Sequence, residues 1–256
     1  VYGNARVYGN AMVSGNAMVY GDAMVYGDAR VCDNAWVYGD AWVYGDARVY
    51  GDARVYGDAM VCDNARVYGD ARVYGDARVY GNARVYGNAM VSGNAMVYGD
   101  AMVSGDARVC DNAWVYGDAR VYGNARVSGN AMVSGNAMVY GDAMVCGNAW
   151  VCGNARVYGN AKVYDNKHYM AIGPIGSRDD TITFTRNKKG GIFASVGCFF
   201  GTLAEFREKV SDTHGGNVHA QAYLMAAQLA ELRIDTTPIA DTQEEPTVGF
   251  EKGNAT

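Results

Sequence analysis

Six cysteines (Cys32, Cys62, Cys110, Cys146, Cys152 and Cys198) and three histidines (His168, His214 and His219) are the side chains of this chain best suited to nucleophilic, redox or metal chemistry. Their spacing argues against all three. No Cys-x-x-Cys or His-x-His pair occurs to start a metal cluster. Cys198 and His214 would make a nucleophile pair if the fold joined them, but a buried structural Cys is the commoner explanation. Gly173–Arg178 could be an anion loop, although its Gly and Pro content reads more simply as a turn. The expectation is no catalytic residue, no metal ligand and no cofactor.

The scaffold available to position side chains is unusual. Residues 1–162 are one six-residue phrase, Val-Tyr-Gly-Asn/Asp-Ala-x, spoken 27 times without insertion or deletion. A unit this short cannot bury an apolar face alone, so it must stack on its neighbours as a solenoid. Val at position one and Ala at position five never change. In Ala-x-Val-Tyr they lie two apart and share one face of a short strand. The following Gly and Asn/Asp tolerate positive φ, so each phrase is a strand and then a corner. Tyr, Ser or Cys at position two and Arg, Met or Trp at position six point outward.

This pattern resembles the hexapeptide-repeat family, over residues 1–162 and a degenerate phrase at 163–168 where Lys167 replaces the Ala. The resemblance implies an all-β solenoid, a left-handed parallel β-helix of triangular section; a four-sided coil is the alternative. Three phrases per coil make about nine coils, roughly 43 Å long at ~4.8 Å per rung. Many members of that family are acyltransferases with a catalytic His and a loop between coils. This array has neither, so a degenerate acyltransferase is a remote alternative. The zinc-binding carbonic anhydrases among its relatives use three His projecting from the coils, whereas the three His here lie at or beyond the array's end. Ice-binding solenoids expose Thr rows, which this array lacks.

Three phrases per coil stack residues 18 apart. One face then carries Arg6, Met24, Trp42, Met60, Arg78, Met96, Trp114, Met132 and Trp150, together with the Tyr20, Tyr38 and Tyr56 run. Its candidate binding residues are Tyr20, Tyr38, Tyr56, Trp42, Trp114, Trp150, Met60 and Met132, an exposed aromatic and apolar stripe. A second face, with Arg30, Arg48, Arg66, Arg84, Arg120 and Arg156, is mostly basic. Random scatter of cationic and apolar residues over three faces explains the same pattern. No two array cysteines stand 18 apart, and Cys146 and Cys152 fall on different faces beyond the ~7 Å reach of a disulfide. They read as free thiols, which suit a cytoplasm or a virion without assigning either.

Residues 1–36 recur at 79–114 with one change, Tyr26 becoming Ser104. The offset of 78 residues is 13 phrases, a multiple of neither three nor four, so the copy lands on a different face. An array that grows this way treats its faces as interchangeable. The net charge of −5 is neither basic enough for a nucleic-acid sleeve nor acidic enough to argue for a DNA mimic. No apolar run is long enough to span a membrane as a helix. The chain opens on Val1, mid-phrase and without Met, and the expectation is a longer array whose targeting signal lies outside it.

Beyond Tyr169 the composition changes to a small α+β domain over 169–235. Thr181–Thr185 and Ile192–Val196 alternate like strands around a turn at 187–191, and Gly197–Gly201 reads as a further turn. Thr202-Leu-Ala-Glu205 is a capping box opening a helix in which Leu203, Phe206 and Val210 share a face. A second helix spaces Val218, Ala222, Met225, Leu229 and Leu232 as a buried stripe would. Residues 236–256 read as a polar, disordered tail. The segment from Ile172 through both helices resembles a module that follows hexapeptide arrays in bacterial and phage-encoded proteins; its expected role is to cap an open strand edge. The function expected is structural or interactive: a rigid rod or fibre element, possible phage origin included, associating laterally or head to tail with itself or binding a host surface ligand. A glycan-binding adhesion module is the alternative, with membrane and nucleic acid disfavoured.

Overall fold

The computed structural model describes residues 1–237. The repeats form three nine-stranded parallel sheets, each strand hydrogen-bonded to the strands three phrases before and after it. The coil is therefore three-sided and nine coils tall. Each rung is the short strand x-Val, as in Arg6–Val7 stacked on Met24–Val25. Every backbone N–H in the ladder points to the coil above, for example Arg6 N to Ala23 O at 2.9 Å and Tyr8 N to Val25 O at 3.1 Å.

The inward positions behave as their sizes require. From Val19 to Val163 every position-one Val and position-five Ala is fully buried. Burying a Val side chain contributes about 1.5–3 kcal/mol, and each added coil buries three of them. The narrow triangular interior accepts nothing larger beside a branched Val than Ala.

The corners depend on left-handed backbone. Gly69 has φ +69°, and a Cβ there would stand 3.1 Å from the backbone nitrogen of Gly87 one coil on. Asp33, Asp63 and Asp111 take the same conformation without glycine, at φ 62°, 58° and 60°. Each offsets the strain by accepting the next coil's amide: Gly51, Gly81 and Gly129 donate to these carboxylates at 3.1, 3.1 and 3.0 Å. All three follow a cysteine, and the Cys32 and Cys110 thiols donate to their Asp neighbours at 3.8 and 3.7 Å. The fourth phrase position stacks as polar ladders, such as Asn4 donating to Asp22 at 2.9 Å and Asn112 to Asn130 at 3.3 Å. Asp also stacks directly on Asp in each column, and the longest such run is Asp22, Asp40, Asp58 and Asp76.

The meter stops at the rung Lys162–Val163, followed by a 3-10 turn at Asn166–His168. An antiparallel sheet follows, with strands Tyr169–Ile175, Asp180–Arg186, Ile192–Val196 and Phe199–Thr202 in that order. Two helices complete it, α1 (Leu203–His214) and α2 (Val218–Arg233). The first and last strands correct the sequence reading, which had turns at both places. Gly173–Pro174 lies within the first of them, at an irregularity in its pairing. The capping box forms as expected, with Thr202 and Glu205 satisfying each other's backbone amides. Leu203, Phe206 and Val210 are buried together.

Helix α2 reverses its expected orientation. Ala220, Tyr223, Ala226, Ala227 and Ala230 face the sheet, whereas Val218, Met225, Leu229 and Leu232 are exposed. Close approach decides this. The Tyr223 ring occupies the space a Cβ on Gly176 would need, and the four alanines of the same face are buried beside it. Residues 236 and 237 are the only part of the expected disordered tail within the described residues.

This domain closes the end of the solenoid. Amides of the last coil, with no further coil above them, are taken by side chains. Trp150 N donates to Asn166 Oδ1 at 2.8 Å, Arg156 N to Thr183 Oγ1 at 2.9 Å and Tyr164 N to His168 Nδ1 at 3.1 Å. Phe200 covers Tyr158 at a ring distance of 3.8 Å, and Arg156 donates to Gly197 O at 2.8 Å. Side chains beyond the array thus supply substitute hydrogen bonds across an otherwise open strand edge.

His168 makes this closure pH-dependent. Burial, and then the Arg186 guanidinium, hold its pKa below the ordinary value of 6.5. Its Nδ1 accepts the Tyr164 amide, so a proton there would set donor against donor. The unfolded chain takes up its proton first, so stability is complete above about pH 6.5 and falls as pH drops through the lower folded value. Thermal melts from pH 8 to 5 should show this acid loss in the wild type, and His168→Gln should flatten it. An equal slope in the variant would place the effect elsewhere.

Candidate functional site

The outward positions are the only part of the array free to meet a partner, and they form continuous columns. The first face carries Arg6, Met24, Trp42, Met60, Arg78, Met96, Trp114, Met132 and Trp150 in register. Trp42, Trp114 and Trp150 are exposed, and Met60 and Met132 are half-buried. Beside them runs the Asp22, Asp40 and Asp58 column, so that a shallow groove has an apolar floor of Met24, Trp42 and Met60 under a carboxylate rim. The Trp150 indole is anchored to Ser134 Oγ at 3.3 Å, and its carbonyl accepts the Tyr169 hydroxyl.

Tyr20, Tyr38 and Tyr56 belong elsewhere, which corrects their placement on the Trp42 face. They follow the rungs of the third sheet, beside Trp36, Arg54 and Arg72. The phrase boundary explains the difference: a strand joins position six of one phrase to positions one and two of the next. The outward Tyr beside Trp42 is therefore Tyr44, and the Trp beside Tyr20 is Trp36. Trp36 lies edge-on to Tyr20 at 6.4 Å, with the Arg54 guanidinium 5.1 Å over its ring. Reading the strand across the phrase boundary would have found it.

The tyrosines stack as parallel plates. Tyr20, Tyr38, Tyr56 and Tyr74 are separated by 4.9, 4.8 and 5.0 Å with interplanar angles of 1–4°. The second column, Tyr122–Tyr140–Tyr158, ends on Phe200 of the cap. Burial inside the stack, with neighbouring phenols adding to it, pushes the Tyr56 pKa up to about 12. Burial raises Tyr20 and Tyr38 in the same direction, so these three phenols stay neutral at neutral pH. They offer flat π-edges and hydroxyls, with no nucleophile.

The second sheet carries Arg30, Arg48, Arg66 and Arg84 in unbroken register, then Met102, Arg120, Met138 and Arg156. Both the basic and the Met/Trp columns stand as the sequence spacing required.

The cysteines are free. Burial pushes the Cys110 thiol up to about 11 and Cys146 up to about 12, so neither is a thiolate near neutrality. Cys198, expected buried, is exposed. His168 is held inside the junction, His214 ends α1 and His219 lies in the first turn of α2. Among the described residues no three His, Cys, Asp or Glu side chains converge on a metal position. No helix there is long and apolar enough to cross a membrane.

A loop-free, three-sided parallel solenoid whose outward positions repeat every coil defines a hexapeptide-repeat β-solenoid protein. Within that class, the sequence profile of the YdcK beta solenoid repeat matches in overlapping windows from residues 1–15 to 149–165, and the chain belongs to that family. Among solved structures the chain is similar to a Bacillus cereus protein provisionally described as an acetyltransferase. The two share 11% identity at a TM-score of 0.23, over 88% of this chain and 99% of the other. The search of curated proteins found no match.

Proposed function

We propose that the chain is a structural and interaction protein, a rigid rod that associates laterally with copies of itself. The observation that carries the reading is the uninterrupted register of three nine-stranded sheets around a fully buried Val/Ala core. Length and repetition are what such a body offers. The charge pattern supports self-association. The Asp22, Asp40, Asp58 and Asp76 column on one corner and the Arg30, Arg48, Arg66 and Arg84 column on another face share the same rung spacing. Two parallel rods can therefore match carboxylate to guanidinium at four successive coils, over a Met/Trp floor that loses water on contact. Because the two surfaces differ, such a contact is heterologous and extends into bundles or sheets of rods.

Electron microscopy at rising protein concentration tests this. Side-by-side rods at low salt that disperse at high salt are expected, since exposed ion pairs are screened. Monodisperse short particles at every concentration and salt would overturn the reading. Dispersed particles that capture carbohydrate on a glycan array, through Trp114, would favour an adhesion role instead.

A further inference from the structure

Among the described residues the exposed face of α2 has no partner. Val218, Met225, Leu229 and Leu232 are 69%, 69%, 48% and 87% exposed, while the opposite face is sealed against the cap sheet. A helix apolar on both sides is characteristic of a fully buried element. The residues recur at 218, 222, 225, 229 and 232, alternating steps of four and three. That 3.5-residue period is the seam one α-helix presents to another.

We propose that α2 pairs with α2 of a second copy, antiparallel and about a two-fold axis near Met225, joining two rods cap to cap. A second copy is favoured over another partner by its self-complementary flank. In the antiparallel register Val218 meets Leu232, Ala222 meets Leu229 and Met225 meets itself. Gln221 and Gln228 border the seam on one side, and the same symmetry sets Gln221 opposite Gln228 of the other copy. Two uncharged amides so placed can hydrogen-bond reciprocally and bring no like charges together. The nearby acid Glu231 is held away from the seam by its paired bonds to Arg207 at 2.8 and 2.7 Å. The outward face of α1 is polar, with Glu205, Glu208, Lys209 and Asp212 exposed, so the contact is confined to one helix from each copy. Such an interface is small and belongs with reversible pairs. The contact is isologous and closes on itself, so it doubles a rod without propagating a fibre. It refines the rod reading yet stands apart from lateral association, which uses the solenoid faces.

Sedimentation of the full chain at high salt, where the lateral contact is screened, isolates this step. A concentration-dependent monomer–dimer equilibrium is expected. Leu232→Glu and Met225→Glu should each weaken it by about tenfold or more, with unchanged circular dichroism and melting because both side chains are already in water. The double variant Gln221→Glu/Gln228→Lys should retain or tighten the dimer, since the antiparallel register then pairs Glu with Lys twice. A monomer at all concentrations, or a dimer indifferent to both Glu variants, overturns the proposal. Dimerisation that appears only after residues 238–256 are removed would make the chain's own C-terminal segment the occupant and would overturn it as well. Loss of salt-sensitive bundles with the dimer intact would count against the lateral reading alone.

Discussion

Val85→Asp should divide the solenoid into two parts of unequal stability. Val85 is fully buried midway along the second sheet, paired to Val67 below and Val103 above. A carboxylate there meets only Val and Ala side chains. Leaving an unpaired charge in an apolar interior costs several kcal/mol even after relaxation. In a stacked array each coil is coupled only to its neighbours, so the damage stays at the interface where it falls. The two sides then differ. Coils toward the C-terminus keep the closure by Asn166, Thr183 and His168, whereas those toward the N-terminus lose their upper partner. Hydrogen exchange followed by peptide mapping should show protection lost from the N-terminal coils first and retained beyond about residue 110. The outward neighbour Arg84→Asp should leave the exchange pattern intact. Uniform loss across the array in Val85→Asp would mean that the rod melts as one cooperative body.

Gly69→Ala should destabilise the rod more than Gly69→Asp, by more than the ordinary tolerance of Asp for left-handed backbone accounts for. Left-handed backbone costs an ordinary L-residue about 1–2 kcal/mol. The added Cβ would also press on the Gly87 backbone at 3.1–3.4 Å. Alanine has nothing to set against this. Aspartate brings a carboxylate to the amide of residue 87, the arrangement already present where Asp33 accepts the Gly51 amide. Urea melts should place the alanine variant below the aspartate variant. The double variant Gly69→Asp/Gly87→Asp should fall below either single one, because it stacks two carboxylates one rung apart and puts a second non-glycine residue in left-handed backbone. Equal melts for the Ala and Asp variants would show that the carboxylate bond contributes nothing in solution.

The array is readable almost to the atom in its sequence. Val and Ala two residues apart, a glycine corner and an invariant phrase length leave a single stacking rule, with each residue paired to the one 18 further on. Once one phrase is understood, 26 others follow, because every contact in the body is the same local contact repeated. The outward columns of Met, Trp and Arg followed from the same arithmetic. Tyr20, Tyr38 and Tyr56 did not, because each Tyr lies beside the sixth position of the phrase before it and not that of its own phrase.

The cap behaves differently. Its capping box, its two middle strands and the buried face of α1 show in the sequence, since each rests on interactions within a few residues. The strands at Tyr169–Ile175 and Phe199–Thr202 were hidden under Gly and Pro, and only sheet pairing makes them strands. Helix α2 shows the limit most clearly. Its large apolar stripe and its alanine face both satisfy a helical period, and hydrophobicity alone favours burying the larger one. Packing chose the other face, where four alanines lie against the cap and the Tyr223 ring fills the space beside Gly176. Repetition along the chain therefore dictated the rod, while the match of surfaces across the cap decided which side of α2 was buried and which was left exposed.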